Sequence, residues 1–257
     1  MSISSSNTLL FSLLDKYNFS ANEREEFLSL VESIFFHDEF QKRMTKEFMH
    51  HDEVTLGEHI IEVTIYTYLL SKKYGNKKNF DLNKAVKIAM FHDLYSQPWQ
   101  NNPYSGVSRR SNKHAFRHPI EAVINSSVWF PEIFDTKEDI KVITDGIVHH
   151  MFPLPVARLN DSNYNLLELR NFDYMEKMNS SVKESLITSC NKSAMGHVSL
   201  TPSSFSEGKI VSSADKIVSL NNLRGCNVNA LLALITGKND NLEEAKVKVL
   251  TNEQFKF

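Results

Sequence analysis

Ten histidines lie in this chain of 257 residues, and eight of them fall between positions 50 and 150. Imidazoles that share a buried site with carboxylates either move protons or hold a metal ion. The dipeptide His-Asp occurs three times, at 37–38, 51–52 and 92–93. A two-residue match carries little by itself, so its surroundings must choose among the three. His37-Asp38 stands where one helix ends and the next begins, with Asp38 placed to cap the second. His51-Asp52 stands in the polar stretch Met49–Glu53 between two helices. Both read as structural or solvated pairs. His92-Asp93 differs because it follows the apolar run Ile88-Ala89-Met90-Phe91, which carries it toward the interior.

Burying a carboxylate is costly unless it is paired or bound to a metal. Asp93 also falls at a helix C-terminus, where the macrodipole disfavours negative charge. Local conflicts of this kind are expected at functional sites. Other residues meet the same test. His59 shares a stripe with Leu56, Val63 and Tyr66, at spacings of three, four and seven. The stripe Ile140, Ile143, Ile147 continues onto His150, while His149 points about 100° away and lies four residues after Asp145, as a surface or supporting pair. Asp215 lies between Val211 and Val218 at helical spacing. His118 precedes Pro119, which suits the first position of a helix and makes His118 its cap. Taken singly, each of these residues reads as packing. Taken together they read as one shared metal site, because that single cause offsets the burial cost of all of them.

The elements that must position these groups are helices. Only 8 Gly and 7 Pro occur, and apolar residues make up 41% against 23% charged, which argues for long helices with short connections rather than a turn-rich β fold. Short helices are expected at 7–17, 22–36 and 38–48. Thr55 and Glu58 form a capping box that opens a longer helix, which Gly75 stops. Asp81 caps the helix that runs into His92-Asp93. Residues 96–117 form a long polar loop, and loops of that length in compact domains are commonly functional. Further helices are expected from Lys137 to Met151, at 180–192 and at 208–223, with one or two small helices in the tail. A net charge of −2 gives no basic footprint for extended nucleic acid. Cys190 and Cys226 have no metal-type spacing and imply a reduced environment. The start reads as an amphipathic helix rather than a signal peptide, and no run is long enough to span a bilayer. The expectation is a cytoplasmic protein without a membrane partner, with a homo-oligomer left open.

In this order and context the residues resemble the HD superfamily, whose motif is a His, a His-Asp pair and a late Asp on helices. The segments that carry the resemblance are Met49-His50-His51-Asp52-Glu53-Val54-Thr55 leading to His59, Ala89-Met90-Phe91-His92-Asp93-Leu94, His114-Ala115-Phe116-Arg117-His118-Pro119, His150-Met151-Phe152-Pro153-Leu154 and Asp215-Lys216. The resemblance covers about residues 38–222 and is specific for fold and metal site, but weak for substrate. It implies an all-α HD-domain bundle over 38–222, with small helical extensions at 1–37 and 223–257. It implies that His59, His92, Asp93 and Asp215 hold one divalent metal, with Asp93 bridging to a second held by His118 and His150. The doublet leaves His149 as an alternative to His150. The ions would be Fe, Mn, Zn or Co, which ligand type alone does not separate.

The activity implied is a metal-dependent phosphohydrolase that cleaves a small phosphate ester, a nucleotide or cyclic nucleotide, with a metal-bridging hydroxide as nucleophile. Lys216 would neutralise phosphate charge or steady the site, and His114 would contact substrate, donate a proton or support a ligand. Arg109, Arg110, Lys113 and Arg117 of the polar loop would meet phosphate, against the alternative of a solvated basic run. Two rival functions keep the fold. One is a di-iron oxygenase using the same six ligands, and the other is a non-catalytic nucleotide-binding module that retains a structural metal.

Overall fold

The computed structural model describes residues 3–51, 54–75, 79–98, 113–159 and 172–222. The fold is all-α: ten α-helices and two small sheets occur among the described residues. By its contacts the chain divides into two units, Met1–Ala214 and Asp215–Phe257.

The first unit opens with α1 (Ile3–Lys16), α2 (Ala21–Phe35) and α3 (Asp38–Arg43). Helix α2 begins at a reciprocal capping box between Ser20 and Glu23 and buries Phe27, Val31, Ile34 and Phe35. Each such side chain contributes about 1.5–3 kcal/mol on full burial. The cap of α3 is His37, whose Nδ1 accepts from the Glu39 amide at 3.2 Å, and not Asp38 as the sequence suggested. Helix α3 is also shorter than expected. A Cβ on Gly57 would lie 2.4 Å from Met44 Sδ and 2.9 Å from Met44 N, so the end of α3 rests directly on the following helix where only glycine fits.

Two short antiparallel strands, β1 (Met49–His51) and β2 (Val54–Thr55), then occupy part of what the sequence presented as a polar connection. They lead into α4 (Leu56–Tyr74), whose cap Thr55 accepts from the Glu58 amide at 3.2 Å and which ends at Gly75, as the capping signals predicted. Helix α5 (Leu82–Phe91) packs against α4 and is capped by Asp81. Next come α6 (His114–Trp129), α7 (Lys137–Val148), α8 (Phe172–Met175) and α9 (Ser180–Cys190). Helix α7 packs on α5, α6 and α9. A three-stranded antiparallel sheet of β3 (Val156–Ala157), β5 (Val198–Ser199) and β4 (Ala194–Met195), in that order, lies along the same stretch of chain.

Two further boundaries, both beside the histidines, differ from the sequence reading. Helix α6 starts at His114, so Pro119 is its sixth residue and His118 its fifth rather than its cap; the cap is Lys113. Contacts of the His114 ring with Tyr95, at 4.8 Å between centroids, support a turn that the proline alone would not predict. Helix α7 ends at Val148, with His149 as its C-cap, so His150 lies in the turn beyond the helix. The last helix among the described residues, α10 (Ser206–Asn222), contains the point where the two units divide. No helix among the described residues is long and apolar enough to cross a membrane. The expected tail, 223–257, lies outside the described residues.

Candidate metal centre

Four segments of the first unit bring histidines to one carboxylate. Helix α4 buries His59 on the same face as Leu56, Ile60 and Val63. Helix α5 closes on His92, and Asp93 follows in the turn. Helix α6 supplies His118 from its second turn. The turn after α7 supplies His150. All five side chains are buried. The turn carrying Asp93 is held from two sides. Asn125 Nδ2 donates to the Leu94 carbonyl at 2.7 Å, and the Arg43 guanidinium donates to the Tyr95 carbonyl through Nη2 at 2.7 Å and Nε at 3.2 Å.

The two oxygens of Asp93 face different partners. Oδ1 lies 3.2 Å from His118 Nε2 and 3.5 Å from His150 Nε2. Oδ2 lies 3.7 Å from His92 Nε2, 3.8 Å from His59 Nε2 and 3.9 Å from His50 Nδ1. Within each set the imidazole nitrogens approach one another, at 3.1 Å between His118 and His150 and 3.4 Å between His92 and His59. The donor atoms of Asp93, His118 and His150 all lie within 4.8 Å of one another, as do those of His50, His59 and Asp93.

Hydrogen bonding decides which nitrogen points inward. His92 Nδ1 lies 2.6 Å from the Ala89 carbonyl, His118 Nδ1 3.1 Å from the His114 carbonyl and His150 Nδ1 2.7 Å from the Ile147 carbonyl. A carbonyl only accepts, so each ring carries its proton on Nδ1 and turns the Nε2 lone pair toward the cluster. Lone pairs of His118 and His150 facing each other at 3.1 Å repel unless a proton or a cation lies between them. Burial pushes the His118 imidazole down to about 3, so it stays neutral at ordinary pH despite the Asp93 carboxylate beside it. Burial also opposes ionisation of Asp93, yet the surrounding imidazoles of His92, His118 and His150 hold its carboxyl well below the usual range. Imidazole nitrogens turned toward a buried carboxylate are the donor set that a divalent transition metal takes. Backbone carbonyls that fix the far ring nitrogen are the supporting partners such ligands use.

His149 points away from this cluster. Its Nε2 lies 3.8 Å from Asp145 Oδ1, and burial pushes the ring down to about 4. Asp145 is further held by Lys192 Nζ at 2.8 Å, Ser203 Oγ at 2.7 Å and the Ser204 amide at 2.8 Å. The pairing expected from spacing is present, but buried rather than on the surface. Of the doublet, His150 is the member that faces Asp93.

The remaining candidates lie on several elements. His114 stacks on His118 with ring centroids 5.0 Å apart, so it neighbours the cluster without facing Asp93 in any contact described above. Lys113 is the exposed cap of α6. Arg117 lies inside α6 rather than in the polar loop, because the helix starts earlier than the proline implied. It is fully buried, with Nε 3.9 Å from Glu121 Oε1. Arg109 and Arg110 lie outside the described residues. Asp215 and Lys216 belong to the second unit, on α10. There Asp215 Oδ1 accepts from Ser219 Oγ at 3.2 Å, and burial lowers the Lys216 ammonium although Asp215 opposes the shift.

His50 was missed. It joins the Oδ2 side of Asp93, and its ring stacks on His59 with centroids 3.9 Å apart and planes 19° apart. The one hint was its place beside a second histidine, just before the Thr55 cap.

No family model, no curated protein and no solved structure matches the chain. The fold and the site alone define the class: an all-α protein with a buried histidine–aspartate cluster that could hold a metal ion.

Proposed function

We propose that the protein is a metal-dependent phosphohydrolase of the HD type, acting on a small phosphate ester such as a nucleotide or cyclic nucleotide. One observation carries this reading: the carboxylate of Asp93 divides its two oxygens between two groups of inward-facing imidazoles. A carboxylate so divided is suited to bridge two cations. His59 and His92 would hold one on the Oδ2 side, and His118 and His150 the other on the Oδ1 side. The resemblance adds Asp215 as a further ligand and Lys216 as a neutralising cation, both expectations that alanine variants test.

Two divalent ions of the Fe, Mn, Zn or Co type would supply Lewis acidity toward phosphate oxygens and an activated water. The chain's own groups do the rest. Hydrogen bonds from Nδ1 of His92, His118 and His150 to backbone carbonyls keep the ligand rings from rotating. Asn125 and Arg43 keep the Asp93 turn in place. His114, stacked against His118, is a candidate for proton transfer to a leaving oxygen. Lys113 offers positive charge at the start of the same helix, and Arg109 and Arg110 remain candidates for phosphate contact.

The test is turnover. The full chain, reconstituted in turn with Mn, Co, Zn and Fe, is given a panel of nucleoside monophosphates, cyclic nucleotides and simple phosphomonoesters. Release of phosphate or ring opening, lost in Asp93→Asn, is the expected result. A metal-loaded protein that turns over nothing in the panel would remove the phosphohydrolase reading.

A further inference from the structure

We infer that His50 is a metal ligand, the third imidazole on the Oδ2 side of Asp93. This rests on the metal-centre reading above and adds a donor that the resemblance does not include.

The backbone supplies the first reason. Strands β1 and β2 pair Met49 with Thr55 and His51 with Val54, and the register shifts between Met49 and His51. His50 is therefore the residue at the irregularity. Bulges are found beside active sites because the extra residue leaves the ladder and its side chain is re-aimed. Here it is re-aimed onto His59, with the rings nearly parallel and 3.9 Å apart. A hairpin of two very short strands is marginal by itself, so the placement of the ring is an odd expense unless the ring has a task.

Distance supplies the second reason. The His50 Nδ1 lies 3.9 Å from Asp93 Oδ2, against 3.8 Å for His59 and 3.7 Å for His92. Donors bonded at about 2.1 Å to one ion stand about 3.0–3.4 Å apart, from octahedral to tetrahedral geometry. His50 reaches that spacing from Asp93 by a side-chain shift of about half to one ångström, and because an imidazole binds an ion in its own plane the ring must also turn out of its stack with His59. The donor atoms of His50, His59 and Asp93 already fall within 4.8 Å of one another.

Exposure supplies the third. The His50 side chain is 15% exposed, whereas those of His59 and His92 are fully buried. It thus stands at the outer edge of the cluster, where a ligand can close the site toward solvent. Coordination through Nδ1 leaves the ring proton on Nε2. Three imidazoles beside the Asp93 oxygen, with or without the Asp215 that the resemblance adds, suit Zn, Fe or Co and disfavour Mg and Ca, which prefer oxygen.

The experiment uses the full chain loaded with cobalt(II), reading the visible ligand-field bands and the affinity by chelator competition. His50→Phe keeps a ring to stack on His59 but removes the donor nitrogen. His50→Asp returns a donor without the ring. The expected result is at least a tenfold loss of cobalt affinity at one of two sites in His50→Phe, with altered bands, and partial recovery in His50→Asp. Wild-type affinity and an unchanged spectrum in His50→Phe, while His118→Ala still loses cobalt, would leave His50 a stacking residue and the metal centre intact. A wild-type chain that takes up no cobalt would overturn both readings. Circular dichroism of His50→Phe separates loss of the donor from loss of the fold.

Discussion

Replacing Asn125 with alanine should loosen the turn that carries Asp93. Asn125 is fully buried on α6. Its Nδ2 donates to the Leu94 carbonyl at 2.7 Å and lies 3.0 Å from Ser96 Oγ, while its Oδ1 accepts from Ser96 Oγ at 3.2 Å. The alanine variant leaves the Leu94 carbonyl inside the protein without this donor. A buried polar group so stranded costs about 1–3 kcal/mol, and the removed amide leaves a small void. The expected loss is about 2 kcal/mol, or roughly 30-fold in the folding equilibrium. With a urea slope of about 2 kcal/mol per molar, the midpoint should fall by about 1 M with the slope unchanged. Because the same turn holds Asp93, metal affinity should fall by about 10–100-fold, the usual effect of removing a group that supports a ligand. Urea titration by tryptophan fluorescence, with metal analysis of the same samples, reads both. An unmoved midpoint with full metal retention would refute the claim that Asn125 holds this turn.

Other outcomes follow from the same geometry. His150→Ala should lose the metal of the Oδ1 side while His149→Ala keeps both, as elemental analysis would read; the reverse would assign the doublet the other way. Gly208→Ala should destabilise the chain by about 1–3 kcal/mol, since its Cβ would lie 2.7 Å from the Gly146 Cα, a backbone contact that cannot give way; thermal unfolding measures it. Arg43→Met should cost about 1–3 kcal/mol, read by thermal unfolding, because it removes the buried guanidinium that donates to the Tyr95 carbonyl and to Glu39 Oε2 at 2.8 Å and lies 4.8 Å and 4.7 Å from the Phe48 and Trp129 rings. Burial opposes ionisation of Glu39, yet Lys42 and Arg43 hold its carboxyl below the ordinary value of 4.5. A lowered folded-state pKa means that this stabilisation is present above about 4.5 and is lost as pH falls through the folded value. Glu39→Gln should therefore flatten that part of the acid limb in stability measured against pH.

The helical architecture and most of the cluster were legible because their signals are local and periodic. Thr55, Glu58 and Gly75 bracket α4, Asp81 opens α5, and the stripe of α4 aims His59 inward, as its spacing implied. The buried Asp93 announced itself as a local conflict, and the imidazoles of His92, His118 and His150 beside it favour its ionised form. What was missed has non-periodic causes. His50 points inward because of an irregularity in a hairpin of two very short strands, which no helical or alternating pattern encodes. His118 was read as a cap because Pro119 looks like a first-turn residue, yet ring contacts of His114 carry α6 one turn further back. His37 took the capping role of Asp38 because an imidazole nitrogen can accept from an amide as a carboxylate does. The sequence puts Arg117 in the loop because Pro119 implies a later start for α6, and the buried pairing with Glu121 depends on the earlier start.

The central claim is that Asp93 bridges two metal ions. Its most direct test is elemental analysis of the full chain purified without added metal and again after reconstitution, beside His92→Ala and Asp93→Asn. Two equivalents of a transition metal per chain, reduced in His92→Ala and largely lost in Asp93→Asn, is the predicted result. A wild-type chain that holds no metal even after reconstitution would contradict the account and leave the histidines as packing around a buried carboxylate.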